Sequence, residues 1–279
     1  MDGVAVAGGH GAGGAVLAVV GARGGSGAST LAALVARRLA GHGRVALVDL
    51  HLSGGGVEVL LGIEDAGGAR WADLGQVRGE VAPGDLEGVL PRWGGVEVLG
   101  PDRRGGHLVD AACVQALGTA LRAGGRSVVL DLPPAALVDE GMAQGLAAWA
   151  TAPGAGPTGT VLVTTQDVLG VAGALALRSW LPTTEASLVL RRRARARVAP
   201  AEAAHVLDLP LRGLLPTEAG LAGAVERGLG PTVGRTSRVG RLAAEIARTV
   251  EAPWRTAEPP ARLGSPRRGR GRRAGRWSA

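Results

Sequence analysis

The chain has 279 residues, 46% of them apolar, and a formal net charge of +7; that length allows one large domain or two small ones with a sizeable core. Its single cysteine excludes an internal disulfide framework and any multi-cysteine metal site. No apolar run approaches the roughly 18–20 residues of a bilayer span, and the N-terminus lacks the basic start of a secretory signal, so a cytoplasmic protein is expected.

The charge is uneven. Residues 254–279 hold eight Arg and one Glu, whereas the other 253 residues hold 23 Arg and 23 acids. The excess therefore describes a tail and not a basic body. The chain contains no Lys, Asn, Phe or Tyr, residues that share AT-rich codons, as a very GC-rich coding sequence would produce.

Residues 1–14 are Gly/Ala-rich and read as disordered. Short apolar runs then alternate with helical patterns. Strands are expected at Val16–Val20, Val45–Asp49, Val96–Leu99, Ser127–Asp131, Thr160–Thr164, Ser187–Leu190 and Leu211–Leu214. Helices are expected at Ser29–Ala40, Val109–Ala123, Val168–Trp180, Pro200–Leu207 and Arg238–Val250. The strand runs are near-continuous Val/Leu instead of alternating, which suits a parallel sheet buried on both faces. Strand–helix alternation throughout predicts one doubly wound α/β domain over residues 15–252, with a mostly parallel sheet flanked by helices. Cys113 falls in a helical stretch and is expected in the core. In the last helix Val239, Leu242, Ala243, Ile246 and Val250 share one face. From residue 253 the chain turns Pro-, Gly- and Arg-rich and reads as disordered.

The first βα turn is Arg23-Gly24-Gly25-Ser26-Gly27-Ala28-Ser29-Thr30. A phosphate needs several backbone N–H groups converging on it, and glycine permits the positive-φ turns and close approach this requires. Ser29 and Thr30 would open the following helix, whose N-terminal N–H groups and dipole favour an anion. A Ser at that point can also place its hydroxyl on Mg²⁺. The alternative is a glycine-rich turn that binds nothing. Two acids follow at strand ends, Asp49 and Asp131, the latter in Leu130-Asp131-Leu132-Pro133-Pro134.

The loop resembles the deviant Walker A of the MinD/ParA family, K-G-G-x-G-K-[ST]-T. Six of eight positions fit. The departures are the two lysines: Arg23 stands at the signature lysine and Ala28 at the general P-loop lysine. Asp49 resembles the first acid of the family's switch I, with His51 departing from its second. Asp131 resembles the Walker B/switch II acid. Further stretches to about residue 252 are also similar. Within that family the combination of motifs looks most similar to the CpaE-like, septum site-determining group of high-GC Gram-positive bacteria, whose members are encoded beside pilus-assembly and secretion ATPases.

The resemblance implies ATP and Mg²⁺ as cofactors. Gly24, Gly25, Ser26, Gly27, Ala28, Ser29 and Thr30 would contact nucleotide, with Arg191 flanking the base. Ser29 and Asp131 would lie on the metal side, and Asp49 and Arg23 would serve the chemistry. It also implies a nucleotide-dependent homodimer, in which Arg23 reaches the other subunit's phosphates, and division or pilus-secretion proteins as partners. Three functions stay open: a slow nucleotide-switched ATPase, a pseudo-ATPase localisation scaffold, and a nucleic-acid binder. The neutral body weighs against nucleic acid. The Arg-rich residues 254–279 suit peripheral contact with an anionic membrane.

Overall fold

The apolar runs form one eight-stranded sheet in the computed structural model, which describes residues 14–104, 109–151, 158–181, 186–234 and 236–255. Its strands are β1 (Val16–Gly21), β2 (Val45–Asp49), β3 (Arg92–Trp93), β4 (Val96–Leu99), β5 (Ser127–Leu132), β6 (Thr158–Thr165), β7 (Ala186–Arg191) and β8 (Leu211–Leu215). Their order is β3-β4-β2-β5-β1-β6-β7-β8. All neighbours pair in parallel except the short β3–β4 edge. Every residue of β2 and β4 is buried, as a sheet covered on both faces requires.

The helices are α1 (Ala28–Leu39), α2 (Gly56–Leu61), α3 (Trp71–Leu74), α4 (Ala111–Ala123), α5 (Pro134–Val138), α6 (Glu140–Thr151), α7 (Val168–Leu177), α8 (Pro200–Leu207), α9 (Ala219–Glu226) and α10 (Arg238–Arg255). One face of the sheet packs on α1 and α10, with Leu31, Val35, Val239, Ala243 and Ile246 in that core. The other face carries α4, α6, α7 and α8, with Trp71, Cys113, Leu117 and Trp149 buried. Cys113 is fully enclosed and donates its thiol to the Leu74 carbonyl.

The seven strands read from the sequence appear with ends shifted by at most two residues. β3 was not anticipated, since two residues carry no periodicity. Nor were α2, α3, α5 and α6. Three of these are six residues or shorter, and α6 contains Gly141 and Gly145, which oppose a helix by propensity. The expected Val168–Trp180 helix ends at Leu177, and Arg178–Trp180 continue as a 3₁₀ turn. α10 runs on to Arg255, past the expected end at Val250. Residues 1–13 and the Arg-rich stretch from 256 lie outside the described residues.

Opposite the strands' carboxyl ends, an ion cluster with Arg126 and Glu97 buried at its centre and Arg44 and Glu87 at the surface ties β2, β4 and β5 together. Arg126, completely enclosed, pairs through Nε with Glu97 and through Nη2 with Glu87 at 3.3 Å. Arg44 joins the same two acids, at 2.7 Å from Glu87 and 3.7 Å from Glu97. Removing one partner strands a buried charge. Arg126→Ala is therefore expected to lower unfolding free energy by about 3–5 kcal/mol, read by denaturant unfolding; a loss under 1 kcal/mol would show that water replaces the guanidinium.

Candidate functional site

The parallel register decides what stands together at the carboxyl edge of the sheet. β2 and β5 are direct neighbours, with Asp49 opposite Asp131, and β1 pairs with β5 on its other side. The turn after β1 therefore opens beside two adjacent carboxylates. This is the edge where open α/β sheets bind ligands.

The turn from Ala22 leads into α1, with Gly25 at φ 72° and Gly27 at φ 88°. Those left-handed conformations explain the glycines. A Cβ on Gly27 would also meet the Arg191 guanidinium at 2.8 Å and Leu215 at 2.9 Å. Gly24 and Gly25 face open space. Gly27 is the N-cap of α1, and no side chain caps the helix. Its first-turn N–H groups thus remain available to an anion. The loop lines a cavity of about 510 Å³ whose walls include Arg23, Ala28, Ser29, Thr30, Asp49 and His51. Ser26 is buried under the loop.

Asp49 is 1% exposed and held rigidly. Its Oδ1 accepts the His51 N–H and its Oδ2 the Val57 N–H, each at 2.8 Å. The buried Trp71 indole donates to the Asp49 carbonyl at 2.7 Å. Val57 reaches the carboxylate because Gly56, at φ 76°, turns the chain where a Cβ would meet the Pro101 carbonyl at 2.7 Å. Burial, then the neighbouring Asp131 charge, pushes the Asp49 carboxyl up to about 6, against its backbone donors. Because the folded value lies above the ordinary one, ionising Asp49 weakens the ligand-free fold as pH rises from about 4 towards 6.

Asp131 is also 1% exposed, and neither carboxylate oxygen has a hydrogen-bond partner. The nearest cation is His51, whose Nε2 lies 3.5 Å from Oδ1, in ion-pair range but without hydrogen-bond geometry. A buried carboxylate with no hydrogen-bond donor on either oxygen fits a bound cation. Burial opposes the charged form of His51, but Asp131 and then Asp49 outweigh it and raise the ring's pKa above 6.5.

Arg23 and His51 are the basic side chains among the described residues of the cavity wall. Arg23 is 38% exposed and leans on Asp167 of its own chain at 3.5 Å. Asp167 caps α7 by accepting the Gly170 N–H and is shared with Arg193 at 3.7 Å. Arg191 is half-buried at the end of β7, with Nη2 3.5 Å from the Thr217 hydroxyl, so it stands beside the loop at Gly27. The structure thus gathers Arg23, the glycine loop, Ser29, Thr30 and Asp49 around one cavity, with Asp131 and Arg191 against it. Sequence reasoning missed His51 as a member of this site. The signal was its spacing, two residues past a strand-end acid.

The imidazole gives a direct check. Asp131→Asn is expected to lower the His51 pKa, followed by its ring-proton resonances in an NMR titration and assigned with His51→Gln. An unchanged pKa would mean that the ring does not sense Asp131.

No known family model matches the chain. An uncharacterized protein of Mycobacterium tuberculosis, matched in two strains, is 37% identical over 217 residues, 77% of this chain. The chain spans 58% of the length of these curated relatives. Among solved structures, a ParA family ATPase from Chlorobium tepidum superposes with a TM-score of 0.70 at 18% identity, over 85% of this chain and 98% of the other. A chain of the MinC:MinD cell division protein complex of Aquifex aeolicus gives 0.66 at 18% identity, over 85% and 96%. The septum site-determining protein MinD of Pyrococcus horikoshii, solved with Mg-ADP, gives 0.59 at 18% identity, over 85% and 96%. The fold is that of the ParA and MinD P-loop ATPases.

Proposed function

We propose that the chain is a nucleotide-switched ATPase of the MinD/ParA kind, binding ATP with Mg²⁺ and hydrolysing it slowly. The observation that carries this reading is the uncapped, glycine-cradled N-terminus of α1 facing one cavity with Asp49, while Asp131 is its partner in register. Backbone N–H groups from Gly25 to Thr30 cradle the phosphates. Ser29 and Asp131 lie on the metal side, and Mg²⁺ supplies charge neutralisation at the β- and γ-phosphates. Asp49, fixed by two N–H donors, helps organise the attacking water and the metal ion. Arg191 and the β8 end flank the base.

Ala28 removes a charge-assisted contact worth roughly 1.5–3 kcal/mol in the ground state, and more as transition-state charge grows. Binding survives better than hydrolysis. Arg23 supplies the missing charge in a nucleotide-dependent homodimer, once it leaves Asp167 for the other subunit's phosphates. The resemblance of its sequence to the CpaE-like, septum site-determining group supports a role in positioning division or pilus-secretion machinery. Residues 254–279 provide reversible contact with anionic lipid. Ala28 itself favours a second reading, a nucleotide-binding scaffold without turnover.

Titration calorimetry of ATP with and without Mg²⁺ tests the site. Asp131→Ala is expected to abolish the Mg²⁺ dependence; unchanged affinity and unchanged dependence would refute the assignment. Phosphate release separates the two readings. Ala28→Lys is expected to raise turnover about tenfold or more, and Arg23→Ala to lower it. Brisk native turnover insensitive to Arg23 would require another cation.

A further inference from the structure

His51 stands where the fold's phosphate chemistry does not need an imidazole, yet it completes a compact donor set. Asp49, His51 and Asp131 each offer one ligand atom, and these atoms lie within 4.8 Å of one another. The His51 Nε2 to Asp131 Oδ1 distance, 3.5 Å, matches the edge of a coordination shell with roughly 2.0–2.2 Å metal–ligand bonds. Asp131 brings two buried oxygens with no hydrogen-bond partner, and His51 Nε2, in ion-pair range of one of them, is likewise buried without a hydrogen bond. Asp49 spends one lone pair of each oxygen on a backbone N–H and keeps the other free. Its orientation is therefore already fixed for a ligand. The His51 side chain is 34% exposed and lines the cavity, which gives an ion a route in.

We propose that Asp49, His51 and Asp131 form a site for one divalent transition-metal ion, with His51 Nε2 as a direct ligand, and that this site fills without nucleotide. Two facing carboxylates repel each other in a dry setting, so an ion relieves the fold even before a phosphate arrives. The donor chemistry selects the ion. Mg²⁺ takes hard oxygen ligands and keeps several waters. Imidazole suits iron, nickel, copper and zinc, and the affinity of a mixed nitrogen and oxygen site rises from Mn²⁺ along the row to Cu²⁺. Nucleotide phosphates then meet a cation that the protein already holds.

The test loads the nucleotide-free full chain with Mn²⁺ at pH 8. Loss of the free-ion electron paramagnetic resonance signal counts bound ions, and pulsed measurements detect ligand nitrogen. One ion per chain with a single imidazole nitrogen coupling is expected. A hundredfold excess of Mg²⁺ should leave it in place, and one equivalent of Zn²⁺ should displace it. His51→Gln is expected to remove the coupling and weaken Mn²⁺ about tenfold or more. His51→Asp, an all-oxygen set, should keep the ion without nitrogen coupling and let Mg²⁺ compete. The native protein decides the matter even if a variant misfolds: absent nitrogen coupling, or displacement of Mn²⁺ by equimolar Mg²⁺, overturns the proposal. ATP binding with Mg²⁺, measured by calorimetry on a separate Mn²⁺-free sample, reports on the proposed function, because Mn²⁺ loading needs no nucleotide.

Discussion

Two carboxylates held side by side in a dry place are the constraint around which this site is built. β2 and β5 are neighbours in register, so Asp49 and Asp131 cannot avoid each other. The fold answers with fixed donors on Asp49, an imidazole near Asp131, and a buried indole that pins the end of β2. None of these neutralises Asp131 fully, since both its oxygens lack hydrogen-bond partners. The opposite edge, tied by the Arg126–Glu97 pair, carries no such stress, and an unsatisfied buried carboxylate fits a cation.

The adjoining loop handles the opposite charge. Its anion attraction comes from backbone N–H groups and the α1 dipole, which the glycine conformations expose. Without a lysine at position 28, that attraction is directional but lacks a mobile cation. Arg23 is the candidate to supply one, and Asp167 holds it aside in the isolated chain. Under the proposed function, such an arrangement would bind first and react only when the arginine is redirected, which is how a switch differs from a constitutive hydrolase.

Much of this was legible in the sequence because the signals were long or chemically constrained. Continuous Val/Leu runs marked the strands, and the glycine spacing before Ser29-Thr30 marked the loop. The last helix declared its buried face through Val239, Leu242, Ala243 and Ile246, all enclosed against the sheet. What stayed hidden depended on tertiary neighbours. α2 and α3 are too short to show a period, yet they deliver the Val57 N–H and the Trp71 indole to Asp49. His51 looked like a departure from a pattern until β5 brought Asp131 beside it. Arg191 was expected near the base, and its contact with Gly27 follows from the order of β6 and β7 next to β1.

The central claim is that a lysine-free glycine loop still holds nucleotide phosphates next to the acid pair. A crystal structure of the full chain with Mg²⁺ and a non-hydrolysable ATP analogue measures this directly. The account predicts β- and γ-phosphate oxygens within hydrogen-bond distance of the N–H groups from Gly25 to Thr30, and a cation bordered by Ser29 and Asp131. Nucleotide bound elsewhere, or no nucleotide at millimolar analogue, would contradict it.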